Sequence, residues 1–239
     1  MNILITGGGS GLGEALTRML SQEPNTVYFT YSNSEANAKK IEGECSGTHA
    51  IQCNFKNVSQ VSNLVDSIHD LDVDILINNA YVDNAVRTHF HKVPDSDFLN
   101  DFTNNVLPTI RITQAAVAHF RKKKKGKIIT VLTSGLVGVP PMGWSSYTAN
   151  KAYLASLVKT WASENIKFNI TSNSISPSFM VTNLTSDMDE RLIKNMISNH
   201  PLKRLLTVEE VAETVLFLTQ ASSHINGIDV VLNHGSNIR

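Results

Sequence analysis

Short apolar runs alternate along this chain with helical stretches, and that alternation restricts the fold more than any other feature. Strand-like runs fall at residues 2–6, 26–30, 48–53, 73–77, 127–133, 169–175 and 228–232. Helical periodicity falls between them, at 12–22, 35–44, 57–69, 96–124, 145–165, 187–198 and 208–220. Strand–helix–strand succession closes through right-handed crossovers into a parallel sheet with helices on both faces. The expectation is α/β, one doubly wound domain over residues 1–239, without repeats or linkers. Ligands in such sheets bind beyond the carboxyl ends of the strands. Thr6, Asn79, Ser134 and Pro177 each stand at or just after a strand end, so four segments converge there.

The first strand runs into Thr6-Gly7-Gly8-Gly9-Ser10-Gly11-Leu12-Gly13, and a helix with Leu16, Met19 and Leu20 inward follows. Strand, glycines and helix together present backbone N–H groups to a phosphate. A P-loop needs Gly-Lys-Ser/Thr at the helix start, whereas Gly13 precedes Glu14, which argues against an NTPase. The strict Gly-x-Gly-x-x-Gly fingerprint also fails, since Leu12 holds its third glycine position. The spacing present is Gly-x-x-x-Gly-x-Gly, from Gly7, Gly11 and Gly13.

A second constellation lies mid-chain. Tyr147 and Lys151 are four apart, on one helix face, and Tyr147 follows Ser134 by thirteen residues. A cation beside a phenol favours the phenolate and predicts a phenol pKa lowered toward neutrality. Ser134, ending an apolar run, can hydrogen-bond a carbonyl oxygen. A nucleotide site combined with such a phenol points to hydride transfer at a carbon bearing oxygen.

Formal net charge is zero, which argues against nucleic acid or anionic membrane as partner. The strongest charge run, Arg121 to Lys125, also suits a solvated helix end. No apolar run approaches a membrane span, and Met1-Asn2-Ile3 leads directly into a strand, so the expected location is the cytoplasm. Cys45 and Cys53 have no metal-type spacing, and His89 and His91 have no acidic or sulfur-bearing partner nearby, so no metal site is expected.

With these motifs in order, the chain resembles the short-chain dehydrogenase/reductases, a Rossmann-type family, and among them the 3-oxoacyl-acyl-carrier-protein reductases. The resemblance extends to Asn78-Asn79-Ala80, Asn105-Val106, Asn173, Ser176-Pro177, Thr182 and Val208 to Ala212. It implies that Tyr147 protonates a substrate carbonyl and that Lys151 holds the nicotinamide ribose and stabilises the phenolate. Ser134 would orient the carbonyl, and Asn105 would hold a water in a proton relay. It carries Gly7, Gly9, Ser10, Gly11 and Leu12 onto the pyrophosphate turn and Asn54 and Phe55 beside the adenine. Asn79 falls near the adenine-side ribose, Met180 and Thr182 by the nicotinamide amide. Departures are Tyr81 and Ser178 where glycines are usual, Thr207 where relatives often carry proline, and Asn233-His234-Gly235 near the C-terminus.

An NAD site wants an acid at the end of the second strand to hold the ribose 2′-hydroxyl. The segment Thr30-Tyr31-Ser32-Asn33 has none, and Ser32 and Asn33 can donate to a 2′-phosphate, so NADP (as NADPH) is favoured over NAD, with Lys39 and Lys40 the nearest cations. Residues 178–204 carry Met180, Leu184, Met188, Leu192, Met196 and Ile197 at the spacing of an amphipathic lid. With Val137 to Trp144 they suggest an apolar pocket for an acyl chain, as in fatty-acid synthesis. The family's two basic carrier-docking positions fall on Lys125 and on Phe168, with Lys167 adjacent. The expected substrate is therefore a 3-oxoacyl thioester on an acyl carrier protein. A free ketone or keto-sugar is the alternative, and a non-catalytic dinucleotide sensor is the rival from another class. The resemblance also implies a homodimer or homotetramer packed through 96–124 and 145–165, where Ala115, Ala116, Ala118, Ala152, Ala155 and Ala162 permit close approach.

Overall fold

The computed structural model describes residues 1–82, 87–182 and 189–236. Its strands are β1 (Asn2–Ile5), β2 (Thr26–Tyr31), β3 (Thr48–Gln52), β4 (Ile75–Asn78), β5 (Gly126–Val131), β6 (Ile170–Pro177) and β7 (Asp229–Leu232). They form one sheet in the order β3-β2-β1-β4-β5-β6-β7, every neighbouring pair parallel. The order reverses between β1 and β4, which opens a crevice at their carboxyl ends. The helices are α1 (Gly11–Leu20), α2 (Glu35–Glu44), α3 (Val58–Ser67), α4 (Asp95–Asp101), α5 (Leu107–Lys123), α6 (Ser145–Asn165), α7 (Glu190–Asn199) and α8 (Val208–Gln220). The doubly wound α/β expectation is met.

Two-residue alternation along the strands divides the core. Ile3, Ile5, Val27, Phe29, Ile77 and Ile129 face α1 and α8, whose Leu16, Leu20, Val211, Val215 and Leu218 are buried against them. Leu4, Leu76 and Ile128 face the other way, onto Val61, Leu64, Ile112, Ala116 and Phe120 of α3 and α5. A central strand buried on both sides reads as a continuous apolar run, which is why β1 and β4 stood out. Helix α8 starts at a capping box in which Thr207 and Glu210 exchange bonds, and Arg204 adds an ion pair to Glu210 at 2.6 Å. Thr207 thus caps the helix with a side-chain oxygen that a proline in its place would lack.

One helix differs from expectation. The sequence predicts a continuous helix over 96–124, whereas the chain passes from α4 through a π turn at Phe102–Val106 into α5. Pro108 lacks the N–H that an α-helical ladder requires there, and the Leu107 N–H bonds Phe102 O, five residues back. Helix α7 covers Glu190–Asn199, while Leu184 and Met188 of the expected lid lie outside the described residues. Of the alanines expected between subunits, Ala116 and Ala162 are buried within the chain, whereas Ala118 and Ala152 are exposed. Among the described residues no helix is long and apolar enough to cross a membrane.

The turn after β1 permits no side chain at Gly13. A Cβ there would collide with the Gly7 carbonyl oxygen and come within 2.8 Å of Asn79 Nδ2. Gly13→Ala should lower stability by about 1–3 kcal/mol through overpacking and weaken dinucleotide binding. Gly43→Ala on α2 has nothing within 4 Å of the new methyl and should be neutral or stabilising. Thermal melting of the two variants checks this; equal melting temperatures would contradict it.

Candidate active site

The glycine turn is held from within. Asn79 Nδ2 donates to Thr6 O at 3.0 Å and Gly7 O at 3.1 Å, Thr17 Oγ1 donates to Gly8 O at 3.1 Å, and Asn37 Nδ2 donates to Gly9 O at 2.8 Å. With its carbonyls bound by these side chains, the turn can present amides to the cleft. Gly7 and Gly11 have φ of +67° and +53°, the left-handed conformation that glycine takes without strain. Ser10 is the N-cap of α1, yet its hydroxyl caps nothing. The first-turn amides and the positive end of the helix dipole are therefore not neutralised by a side-chain cap.

This turn forms one end of a cleft of about 790 Å³ above the carboxyl edge of the sheet. Gly7, Gly9, Ser10, Gly11, Leu12, Ser32, Asn33, Asn54, Phe55, Asn79, Met180 and Thr182 all line it, as do Ser134, Tyr147 and Lys151. The described lining contains no Asp or Glu and two lysines, Lys56 and Lys151. A glycine cradle at an uncapped helix start, in a cleft whose described lining is carboxylate-free and cationic, fits a dinucleotide pyrophosphate.

Three expected residues behave differently. Asn105 does not line the cleft: its Oδ1 accepts from Val82 N at 2.7 Å and its Nδ2 donates to Asp101 Oδ1 at 2.7 Å. The π turn aims this buried side chain at the loop after β4, where it fixes the backbone. Lys39 and Lys40 do not face the cleft either, and pair on α2 with Glu35 at 2.6 Å and Glu44 at 3.9 Å. The cation beside the β3 end of the cleft is Lys56, which sequence reasoning passed over because it lies beyond Asn54-Phe55 and outside any motif.

Strand β5 ends in a short 3₁₀ turn, Ser134–Leu136, that Thr133 caps through the Gly135 N–H. Opposite it, α6 carries Tyr147 and Lys151 one turn apart. The Lys151 ammonium is buried and donates to Val131 O at 2.8 Å. It lies 5.6 Å from the Tyr147 ring centre and 5.3 Å from that of Tyr81. Trp144 and Tyr81 each meet Tyr147 edge-to-face, at 5.3 and 4.9 Å.

The expected fall of the phenol pKa is not what the site produces. Burial pushes the Tyr147 phenol up to about 12, a hydrogen bond with Thr133 pulls it down, and Asp101 pushes it up. Burial likewise pushes Lys151 down to about 8, with Asp101 opposing. Desolvation is the largest cause at both groups, and sequence spacing cannot reveal it. Near neutral pH the site therefore holds a protonated phenol beside an ammonium: a proton donor with a cation ready to receive the phenolate.

With this geometry in hand, similarity to known proteins places the chain. A family model described as enoyl-(acyl carrier protein) reductase matches residues 7–237. A 3-oxoacyl-[acyl-carrier-protein] reductase of Thermotoga maritima is 30% identical, over 97% of this chain and 96% of its own. That of Rickettsia prowazekii is 29% identical over 97% and 95%. The crystal structure of a 3-ketoacyl-(acyl-carrier-protein) reductase from Brucella melitensis complexed with NADH superimposes with a TM-score of 0.88 at 26% identity, covering 99% of this chain and 98% of that one. The chain belongs to the short-chain dehydrogenase/reductase family. It is an NAD(P)-dependent oxidoreductase acting on CH–OH and C=O groups, similar in sequence to the 3-oxoacyl-acyl-carrier-protein reductases.

Lys151 supplies a test of the electrostatics. Its pKa is depressed on folding, from an ordinary 10.5 to about 8, so across that interval the unfolded chain binds more protons than the native one. Stability from this group is therefore absent below pH 8 and accrues as pH rises toward 10.5. The difference amounts to about 3 kcal/mol at ~1.4 kcal/mol per unit. Lys151→Met should remove that rise, so its melting temperature gains on wild type at pH 7 and loses the advantage by pH 10. Parallel pH–stability curves for the two proteins would contradict the assigned burial.

Proposed function

We propose that the chain reduces a ketone to a secondary alcohol with NADPH, and that its substrate is a 3-oxoacyl thioester on an acidic carrier protein. The observation that carries this is Tyr147 with the buried Lys151 ammonium 5.6 Å from its ring centre, in the same cleft as the glycine turn. The nicotinamide, when bound, supplies the hydride. Tyr147 donates its proton to the carbonyl oxygen as the C=O π bond breaks, and Lys151 stabilises the phenolate left behind until solvent restores the proton. Ser134, on the same cleft, would hold the carbonyl oxygen. Asn54 and Phe55 would hold the adenine, and Met180 and Thr182 the nicotinamide amide. A chain acting only as a sensor has no need of a buried cation next to a phenol.

The cleft supports the phosphorylated cofactor. Its described walls lack the carboxylate that would repel a 2′-phosphate, Ser32 and Asn33 stand at the end of β2, and Lys56 lies on the lining. kcat/KM should favour NADPH over NADH, and Ser32→Asp should reverse that order. Equal use of both cofactors by the native protein would overturn the preference.

The substrate proposal rests on the cleft mouth and on one basic surface. Val139 is 93% exposed at the cleft, and Met196 of α7 also lines it, so an acyl chain finds apolar walls. At the end of α5, Lys124 and Lys125 are exposed and form no ion pair among the described residues. Phe168 has no charge of its own, yet the Arg121 guanidinium lies 4.8 Å from its ring centre and Lys167 5.2 Å. A cation thus stands at both expected docking positions, from a different residue in one case. The exposed face of α6, including Tyr153 at 47%, fits an interface with a second copy, and light scattering above the mass of one chain is the expected result.

Tyr147→Phe should lower turnover by roughly 10²–10⁴-fold and leave NADPH binding intact, measured by NADPH oxidation against acyl thioesters and small ketones. A variant keeping a tenth or more of the wild-type rate would remove the assigned role. Lys124→Glu with Lys125→Glu should raise KM for the carrier-bound substrate and leave a small soluble thioester unaffected, because surface charge acts on docking. Equal effects on both substrates would favour the free-ketone alternative.

A further inference from the structure

Lys151 poses a problem that Val131 does not solve. An ammonium this deeply buried is stable only with a compensating charge nearby, and the carbonyl of Val131 is a neutral acceptor. Among the described residues, the groups around it are the Tyr147 phenol on its own helix, the Tyr81 phenol after β4, the Thr133 hydroxyl that binds Tyr147, and one carboxylate bound to Tyr81, that of Asp101 at the end of α4.

Asp101 is fixed from three directions. Its Oδ1 accepts from the Tyr81 hydroxyl at 2.6 Å and from Asn105 Nδ2 at 2.7 Å, and its Oδ2 accepts from Ser146 Oγ at 2.5 Å. Tyr81 is the link, since its ring lies 5.3 Å from the Lys151 ammonium while its hydroxyl binds the carboxylate. Hydrogen bonding to an anion enriches a phenol ring in electron density, which strengthens its attraction for a cation on its face. The carboxylate also keeps Tyr81 protonated, since burial and the Asp101 bond both push that phenol well above its ordinary pKa. Tyr81 is thus a fixed connector between the two charges.

We propose that Asp101 is the counter-charge that keeps Lys151 an ammonium, a positioning residue acting through Tyr81 and clamped by Ser146 and Asn105. This explains why Asn105 is turned away from the cleft: its amide anchors the carboxylate. It rests on the reading of Tyr147 and Lys151 as the proton-donating pair. It adds that the pair's upper pH limit is set by a third residue that lines no part of the cleft.

The test is titration of the ligand-free full chain by heteronuclear NMR with labelled lysine side chains, Lys151→Met identifying the Lys151 resonance. Asp101→Asn should lower the Lys151 midpoint by about one pH unit, the scale of a nearby opposite charge, and Asp101→Glu should restore part of it. Tyr81→Phe, which cuts the link to the carboxylate, should also lower the Lys151 midpoint, a readout that survives if Asp101→Asn fails to fold. The basic limb of ketone reduction should move to lower pH in Asp101→Asn, because both the ammonium and the Tyr147 proton are then lost earlier. A Lys151 midpoint unmoved in both Asp101→Asn and Tyr81→Phe overturns the proposal. The titration needs no turnover, so an active Tyr147→Phe would sink the proton-donor reading alone, and an inactive one with unmoved midpoints would sink this inference alone.

Discussion

The burial of Lys151 under Tyr147 is the constraint on which the rest of the site depends. Placing an ammonium at the floor of a cleft is unfavourable unless neighbouring groups accept its protons and balance its charge. Here β5 offers the Val131 carbonyl, the loop after β4 and α6 offer two phenol faces, and α4 offers a carboxylate. Each comes from a different element, so the sheet order that brings β1, β4 and β5 side by side is also what assembles the charge. The fold and the chemistry meet at that one side chain.

The two ends of the cleft use opposite strategies for charge. At the glycine turn, Asn79, Thr17 and Asn37 bind the backbone carbonyls, so an anion would be received by amides and a helix terminus. At the other end, a protonated phenol and an ammonium face the position where a carbonyl oxygen would gain negative charge. Electrostatic stabilisation of that kind is effective because the donors are already oriented and dry. A ligand reaching from one end to the other, anionic at its phosphates and reactive at its ring, matches both.

Much of this was legible in the sequence, for identifiable reasons. Strands buried on both faces announce themselves as apolar runs, and Gly7, Gly11 and Gly13 are needed wherever a helix must approach a turn closely. The spacing of Ser134, Tyr147 and Lys151 placed all three on one cleft. What spacing could not show was the balance of opposing effects. The phenol pKa rises chiefly because the residue is desolvated, and desolvation is a property of everything packed around it. Asn105, expected to hold a water of a proton relay, bonds Val82 and Asp101 beside a π turn that spacing could not show. Asp101 and Lys56 carried no motif at all. Tyr81 was visible only as an oddity, and its hydrogen bond to Asp101, twenty residues away, exists only after folding.

Hydride transfer to a ketone with Tyr147 as proton donor is the central claim, and isotope transfer tests it most directly. NADPH deuterated at the transferable position of the nicotinamide would be incubated with the protein and a 3-oxoacyl thioester, and the product examined by mass spectrometry and NMR. The account predicts one deuterium on the carbinol carbon of the hydroxyacyl product with wild type and almost none formed with Tyr147→Phe. A product unlabelled at that carbon, or labelled to the same extent by both proteins, would contradict it.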